Sequence, residues 1–551
     1  MLQEKYNELK IIDTNELRKE IVLRLRGCVF SELYLITSIS ICYKAFCLQS
    51  GNVCGDDIEK IVSNYNDTIL FVKENFETDV LLAYILFNKD FENDRNEAAH
   101  ITPTSITRLA NRLLDIQLTD EFIELCSGNG SFLVENAFCM NNYTGVEISP
   151  DSYVVSKIRN LVLGRENEIV LENALTFIPQ KKADKAFGNF PFGLRDGNNQ
   201  YKETLLEKIN ISTNISATSD WLFCSALLAC LKEHGKAVAV VTNGTTMNLQ
   251  DKNLRQSYLE MGYIETVITL PRSLFFHTML PVNIIVLSFG NECVNLIDAS
   301  ELCIKGRRNN DFSTEHIEKI ASLIGTESEI STVKSCSEII ENDCVISPIR
   351  YLSAPIIANA VELGSYIKNV TRGASIKAEE LAELRSETKT PYRYINVSNI
   401  VNGNIDYESK VEYLKEIPAK YEKYCVKNNM LVISKIGSPV FKSAIVRKED
   451  HILLLAGSNL FLVEFDDTKI NSFYVQAFLA SEKGIKTLQS ISAGTSFLTF
   501  SVENLKKLLI PQATREEQDN ISKFYTESLD ELILLEQKKD SVVNSLKKLF
   551  N

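Results

Sequence analysis

Asn189-Phe190-Pro191-Phe192 is the stretch whose residue types and order can do chemistry. Ala186-Phe187-Gly188 reads as the end of a buried strand, and the tetrapeptide then leaves the sheet as a Pro-locked, non-helical turn. At such a turn an amide oxygen and a main-chain carbonyl can accept both hydrogens of an exocyclic amine while an aromatic ring stacks on the base. The same four residues also describe an ordinary strand ending in an Asn-Pro type of turn. The segments on either side decide between the two.

Upstream, Ile101-Thr102-Pro103-Thr104-Ser105 turns the chain into a helix over Ile106–Leu114, with Thr104 or Ser105 placed to cap it. Phe122-Ile123-Glu124-Leu125-Cys126-Ser127-Gly128-Asn129-Gly130-Ser131-Phe132-Leu133 then reads as a short strand, a loop with two glycines and a helix. Glycines there let a cofactor approach the backbone, and the helix start offers free N–H groups. The third glycine of a dinucleotide fingerprint is missing and Glu124 sits near the strand end, which suits a cofactor without a pyrophosphate. The next strand, Tyr143–Glu147, ends in a carboxylate seventeen residues after Gly130, near the spacing at which an acid reaches ribose hydroxyls. Alternation continues with a helix at Tyr153–Leu163, a strand at Ile169–Leu171 followed by Asn173, the tetrapeptide, and a helix at Asp220–Glu233. A strand at Ala237–Thr242, a helix at Leu254–Met261 and a strand at Tyr263–Thr269 come next, and a β-rich pair at Pro281–Phe289 and Cys293–Asp298 closes the sheet. This is the pattern of a doubly wound α/β domain with its site at the strand C-termini.

A chain of 551 residues is too long for one core. Residues 1–95 read as a helical domain that carries no chemistry of its own, through Glu16–Leu25, Leu33–Leu48 and Thr78–Phe87. No apolar run reaches membrane-span length, and Met1-Leu2-Gln3-Glu4-Lys5 lacks the pattern of a secretory signal. Thirteen scattered cysteines without a C-x-x-C pair, beside five histidines, read as reduced core thiols of a cytoplasmic protein rather than as metal ligands. The net charge of −13 argues against a nucleic-acid partner until it is divided. Residues 352–551 hold 26 Lys+Arg and 25 Asp+Glu, whereas residues 1–351 hold 33 and 47, so the last third permits local basic patches.

The ordered set Thr102-Pro103, Glu124-x-x-x-Gly128-x-Gly130-x-Phe132-Leu133, Glu147 and Asn189-Phe190-Pro191-Phe192 resembles the motif order of class I S-adenosylmethionine-dependent DNA adenine-N6 methyltransferases. Within them it is most similar to the modification subunit of type I restriction-modification systems. Leu270-Pro271-x-x-Leu274-Phe275, Leu296-Ile297-Asp298-Ala299-Ser300 and Gly306-Arg307-Arg308-Asn309-Asn310 extend the likeness to about residue 345. The resemblance implies a Rossmann-like domain over residues 96–345 with S-adenosylmethionine as cofactor. Gly128, Gly130 and the helix opening at Ser131 and Phe132 would pass close to the methionine moiety, with Glu124 near its amino group and Thr102 and Pro103 completing that pocket. Glu147 would bind the ribose and Asn173 approach the cofactor's adenine. Asn189 and the carbonyl of Phe190 would hold the target N6 amine, Pro191 fix the turn and Phe192 stack on a flipped base. Phe190 stands where the family usually has proline, which predicts a less rigid loop.

The last third is a different object. Short β-type runs at Arg393–Val397, Met430–Ile433 and Leu460–Val463 alternate with turn signals at Asn402-Gly403-Asn404 and Gly437-Ser438-Pro439, followed by Gly494-Thr495-Ser496 and Leu505–Pro511. A long helix follows, with Ile521, Tyr525, Leu532, Leu535, Val542, Leu546 and Leu549 on one coiled-coil-like stripe. Residues 352–512 resemble one α+β target-recognition domain of a type I specificity subunit, and 513–551 its spacer helix. The complete family subunit carries two such halves. That implies double-stranded DNA as partner, a homodimer through the C-terminal helix and recognition domain reading a split site, and a separate restriction subunit for any cleavage, since no phosphate loop is found. Lys435, Lys442, Arg447 and Lys448 are equally phosphate contacts or solvated charges. Methylation of RNA or a protein amide, and a catalytically inactive DNA-binding scaffold, are the competing readings.

Overall fold

The computed structural model describes all residues except 31–32, 89–101, 166, 195–198, 276–281, 307–308, 353–356, 358, 409–410, 438–439, 493–497 and 548–551, together with the side chains of 498, 537 and 540–547. Ile101, Arg307, Arg308, Ser438, Pro439, Gly494-Thr495-Ser496 and Leu549 therefore lie outside the described residues. The chain divides into two compact units, Met1–Pro348 and Ile349–Asn551.

The first unit begins with six helices: α1 (Gln3–Leu9), α2 (Asn15–Leu25), α3 (Tyr34–Ser50), α4 (Asp56–Val62), α5 (Asn66–Asn75) and α6 (Thr78–Phe87). α3 is apolar on almost every face, buries eleven of its seventeen residues, and stops where Gly51 takes a left-handed φ of 72°. These helices share one continuous apolar core with the sheet that follows.

Next come α7 (Thr104–Leu114), β1 (Glu121–Leu125), α8 (Ser131–Glu135), β2 (Asn142–Glu147), α9 (Pro150–Leu163), β3 (Glu168–Leu171) and β4 (Ala183–Asn189). α10 (Lys202–Lys208), α11 (Ser219–Cys230), β5 (Leu231–Thr242), α12 (Lys252–Glu260), β6 (Ile264–Thr269), β7 (Val282–Leu287), β8 (Cys293–Asp298), α13 (Thr314–Ser322), β9 (Ser331–Ser335) and α14 (Cys336–Glu341) complete the unit. The nine strands form one sheet in the order β3-β2-β1-β4-β5-β7-β6-β8-β9. β3, β2, β1, β4 and β5 run parallel, and β7 is inserted antiparallel between β5 and β6. β7 and β8 are therefore not neighbours, in contrast to the pair expected from sequence. Strand order reverses between β1 and β4, which opens a crevice at their C-terminal ends.

Two local expectations change. α7 starts at Thr104 with Pro103 in the cap position, so neither Thr104 nor Ser105 caps it with a side chain. Pro103 takes the cap position by its backbone alone, with a fixed φ of −59° and no side-chain hydrogen bond to the first turn. β5 starts at Leu231, immediately after α11, rather than at Ala237.

The second unit holds two four-stranded sheets, one built on Ile367–Arg372, Leu460–Phe465, Leu431–Ser434 and Ser443–Ile445, the other on Glu412–Tyr413, Tyr392–Ile395, Leu453–Ala456 and Cys425–Val426. The C-terminal helix spans Arg515–Lys547 and lies against helix Ser472–Ala480. Among the described residues its apolar side chains split into two stripes rather than one; those of Val542, Leu546 and Leu549 lie outside the described set. Leu529 is buried against the unit, and the backbone at Gly403 packs closely on Tyr525 and Leu529. Ile521, Phe524, Leu532 and Leu535 face solvent. Tyr525 thus belongs to the anchoring stripe and not to the exposed one.

Candidate active site

Both sequence segments that could do chemistry sit at the crevice between β1 and β4. Leaving β1, the chain takes left-handed φ values at Cys126 (59°), Gly128 (54°) and Gly130 (76°). Gly130 also lies so close to α9 that a Cβ there would meet Ser156 Oγ at 2.8 Å. Cys126 holds this conformation without glycine's freedom, a strain of about 1–3 kcal/mol that the surrounding packing must offset.

The buried Glu147 carboxylate, at the end of β2, organises the same loop. Its Oε2 accepts from Gly128 N at 2.8 Å, and its Oε1 from Ile148 N at 2.9 Å and Ser149 N at 2.8 Å. These elements wall a cavity of about 450 Å³, within the range of small-molecule sites. Thr102, Gly128, Ser131, Glu147, Asn189 and Pro191, all named from sequence, line it. Ile148 adds an exposed apolar shelf beside Glu147.

At the other wall, Asn189 ends β4 and is only 7% exposed. Its Nδ2 donates to Thr102 Oγ1 at 2.9 Å, which fixes the amide. Its Oδ1 is buried and accepts no hydrogen bond. A buried carbonyl oxygen without a donor costs about 1–3 kcal/mol, and a ligand N–H would recover it.

Phe190 turns its ring into the core, stacked 4.7 Å from Phe223 and covering Gly188, whose lack of a Cβ makes room for it. The ring anchors the loop by packing where a proline would do so covalently. Phe192 is half-buried, edge-on to Phe275 at 5.2 Å.

Other residues named from sequence stand away from the cavity lining. Glu124 is buried behind it, accepting from Tyr143 Oη at 2.5 Å. Burial pushes its pKa well above the ordinary carboxylate range and the nearby Glu147 charge adds to this, against the Tyr143 hydrogen bond. Phe132 is a core ring stacked on Phe122 and Phe187, and Pro103 is buried at the start of α7. Asn173 uses its Oδ1 to accept from Leu175 N at 2.9 Å, closing a turn. Sequence reasoning missed Leu35 and Ile36 of α3, and Ser127, Ser149, Asp151, Ser152 and Val155, all of which line the cavity. The α9 residues carry a legible signal in their helical spacing behind Glu147. Leu35 and Ile36 carry none, because lining and core residues of an apolar helix look alike.

A sheet whose first five strands run parallel, with a glycine loop after β1 and an acid at the end of β2, defines a Rossmann-like fold. Residues 80–359 match the N-6 DNA methylase family, and the chain belongs to that family. Residues 362–545 match the type I restriction modification DNA specificity domain. Two curated relatives from Methanocaldococcus jannaschii are similar. The type I restriction enzyme MjaVII methylase subunit is 26% identical over 288 residues, 46% of this chain and 48% of the relative. The MjaVIII methylase subunit is 23% identical over 348 residues, 55% of each. The chain thus spans about half the length of the curated relatives it matches. The crystal structure of the type IIG restriction endonuclease BpuSI shares the fold at a TM-score of 0.50 and 10% identity, over 93% of this chain and 74% of that one.

Proposed function

We propose that this chain is a site-specific DNA methyltransferase that methylates adenine N6 in duplex DNA, flipping the base from the helix and using residues 352–512 to select the sequence. The observation that carries the reading is the Asn189 amide, locked by Thr102 with a buried, unpartnered Oδ1 beside the cavity. Membership of the N-6 DNA methylase family supplies the cofactor, S-adenosylmethionine. The residues present fit it: a ribose-ready carboxylate at Glu147, an apolar shelf at Ile148 for a base, and a glycine loop open to close backbone approach. When bound, the cofactor supplies an electrophilic methyl group.

The chain's own part is positioning. Asn189 Oδ1 accepts one hydrogen of the target amine and the Phe190 carbonyl the other, which favours a more tetrahedral nitrogen whose lone pair is free to react. Phe192 stacks on the flipped base, worth about 1–3 kcal/mol against the unstacking cost. Pro191 holds the turn. Gly128, Ser131, Thr102 and Glu147 hold the cofactor. Glu124, Phe132, Pro103 and Asn173 serve by shaping that wall rather than through the contacts expected of them.

The exposed stripe Ile521-Phe524-Leu532-Leu535 on the C-terminal helix supports a second copy of this chain as partner, giving two recognition units and a split DNA site. Any cleavage falls to a separate subunit. Light scattering of the DNA complex then reads twice the 62.1 kDa chain mass plus the mass of the bound duplex; one chain per particle with and without DNA refutes the dimer.

Methylation-sensitive sequencing of DNA from cells expressing wild type and Asn189→Ala tests the activity. N6-methyladenine in a split motif is expected with the first and not the second. No modified motif in either sample, with purified protein also silent on that DNA, refutes a self-sufficient enzyme.

A further inference from the structure

Among the described residues, the charged side chains that line the cavity are Glu147 and Asp151, both acidic. Such a lining repels any anionic group of a ligand. Arg159, one helical step beyond Val155 on α9, supplies the opposite sign from behind the wall. It is 2% exposed. Its Nη1 donates to the carbonyl of Asn129, a lining residue of the glycine loop, at 2.8 Å. Its Nε donates to Ile85 O at 3.0 Å and its Nη2 to Asn88 O at 3.4 Å, at the end of α6.

All three partners are neutral carbonyls, and among the described residues no carboxylate lies within ion-pairing distance. Arg255 makes a useful contrast. It too is fully buried and donates to carbonyls, of Thr245, Asn248 and Cys344, yet its charge acts on the Asp251 carboxylate. Burial without an opposing charge draws the Arg159 pKa down to about 10, which still leaves a cation at neutral pH. A buried charge of this kind costs several kcal/mol of desolvation. Carbonyl dipoles offset part of that cost but leave the net charge in place. Screening is weak in such surroundings, so the field reaches through the one-residue-thick loop into the cavity.

We propose that Arg159 is an electrostatic positioning residue for the cofactor: held beneath the glycine loop, its uncompensated charge draws in the carboxylate of the methionine part of S-adenosylmethionine. The proposal rests on the cavity being that cofactor's site. It assigns Arg159 two linked tasks, fixing the Asn129 carbonyl and cancelling the repulsion from Glu147 and Asp151. A purely structural arginine would perform only the first.

Titration calorimetry on the full chain separates them, with three ligands: S-adenosylmethionine, S-adenosylhomocysteine, and decarboxylated S-adenosylmethionine, which keeps the adenosine, sulfonium and amine and lacks only the carboxylate. Wild type is expected to prefer S-adenosylmethionine over the decarboxylated ligand by about tenfold or more. Arg159→Gln is expected to lose most of that preference, with binding of the decarboxylated ligand changed by less than about threefold. Arg159→Lys keeps the charge and should keep the preference; it is also the deciding variant if the glutamine variant fails to fold. Equal weakening of all three ligands in Arg159→Gln, or a lost preference in Arg159→Lys, overturns the electrostatic role. A wild type that binds neither S-adenosylmethionine nor S-adenosylhomocysteine overturns the cofactor assignment first, and the role with it.

Discussion

Thr102→Val removes one atom's worth of chemistry from the site while keeping its shape. In the wild type, Thr102 Oγ1 accepts from Asn189 Nδ2 at 2.9 Å, and this bond holds the Nδ2 end of the buried amide toward Thr102, leaving Oδ1 without a donor. Valine leaves the Nδ2 donor unpaired in the reactive orientation, at a cost of about 1–3 kcal/mol. Rotating the amide by 180° relieves that cost, because it swaps which end faces the valine methyl, but it then presents two donors to an amine that needs an acceptor. A shift of 1–3 kcal/mol corresponds to roughly a 5- to 150-fold loss of the reactive orientation, and so of kcat. The assay is single-turnover methylation of a DNA duplex at saturating cofactor, with the cofactor Kd measured separately by calorimetry. Thr102→Ser, which restores the acceptor, should recover most of the rate. A valine variant with wild-type kcat, or one impaired only through cofactor affinity, refutes the idea that Thr102 orients Asn189.

Three further outcomes follow from the same geometry. Phe190→Ala empties the space between Gly188 and Phe223 and should cost about 3–5 kcal/mol of stability, read as a large fall in Tm. Phe192→Ala, at a half-buried ring, should leave Tm nearly unchanged yet lower kcat/KM by roughly 5- to 150-fold through lost stacking; equal Tm losses for the two variants would contradict these separate roles. Glu124 has a raised native pKa, so between the unfolded value of about 4.3 and that raised value the native state holds a proton the unfolded chain has released. Stability therefore falls as pH rises through that window. Glu124→Gln, which mimics the protonated acid, should flatten the decline and match or exceed the wild-type Tm at neutral pH; an unchanged slope of Tm against pH counts against it.

Much of the catalytic unit was legible in the chain because its signals are local. The glycine loop, the acid at the end of β2 and the Asn-x-Pro turn after β4 are each set by residues within a few positions of one another, and the structure puts them at one crevice. What stayed hidden depends on distant partners. Glu124 reads as an acid near the strand end, and its burial against the tyrosine of the neighbouring strand is a long-range contact that its own segment does not show. The antiparallel insertion of β7 is a pairing choice that apolar periodicity does not encode, since a fully buried strand reads alike in either direction. The stripe on the last helix failed in an instructive way. A 3/4 repeat collects apolar residues without telling which of two faces is already occupied, and Tyr525 is taken by the chain's own Gly403 turn.

The continuity between the helical segment and the sheet has a consequence for how such a chain can change over evolutionary time. Residues 1–87 share their core with the sheet, send Leu35 and Ile36 into the cavity wall, and are tied to the glycine loop through Arg159. A recombination breakpoint near residue 95 would therefore part a cofactor site from half its support. A breakpoint after Pro348 leaves a whole core on each side. A single crossover there would exchange the second unit while leaving the core and cavity of the first intact.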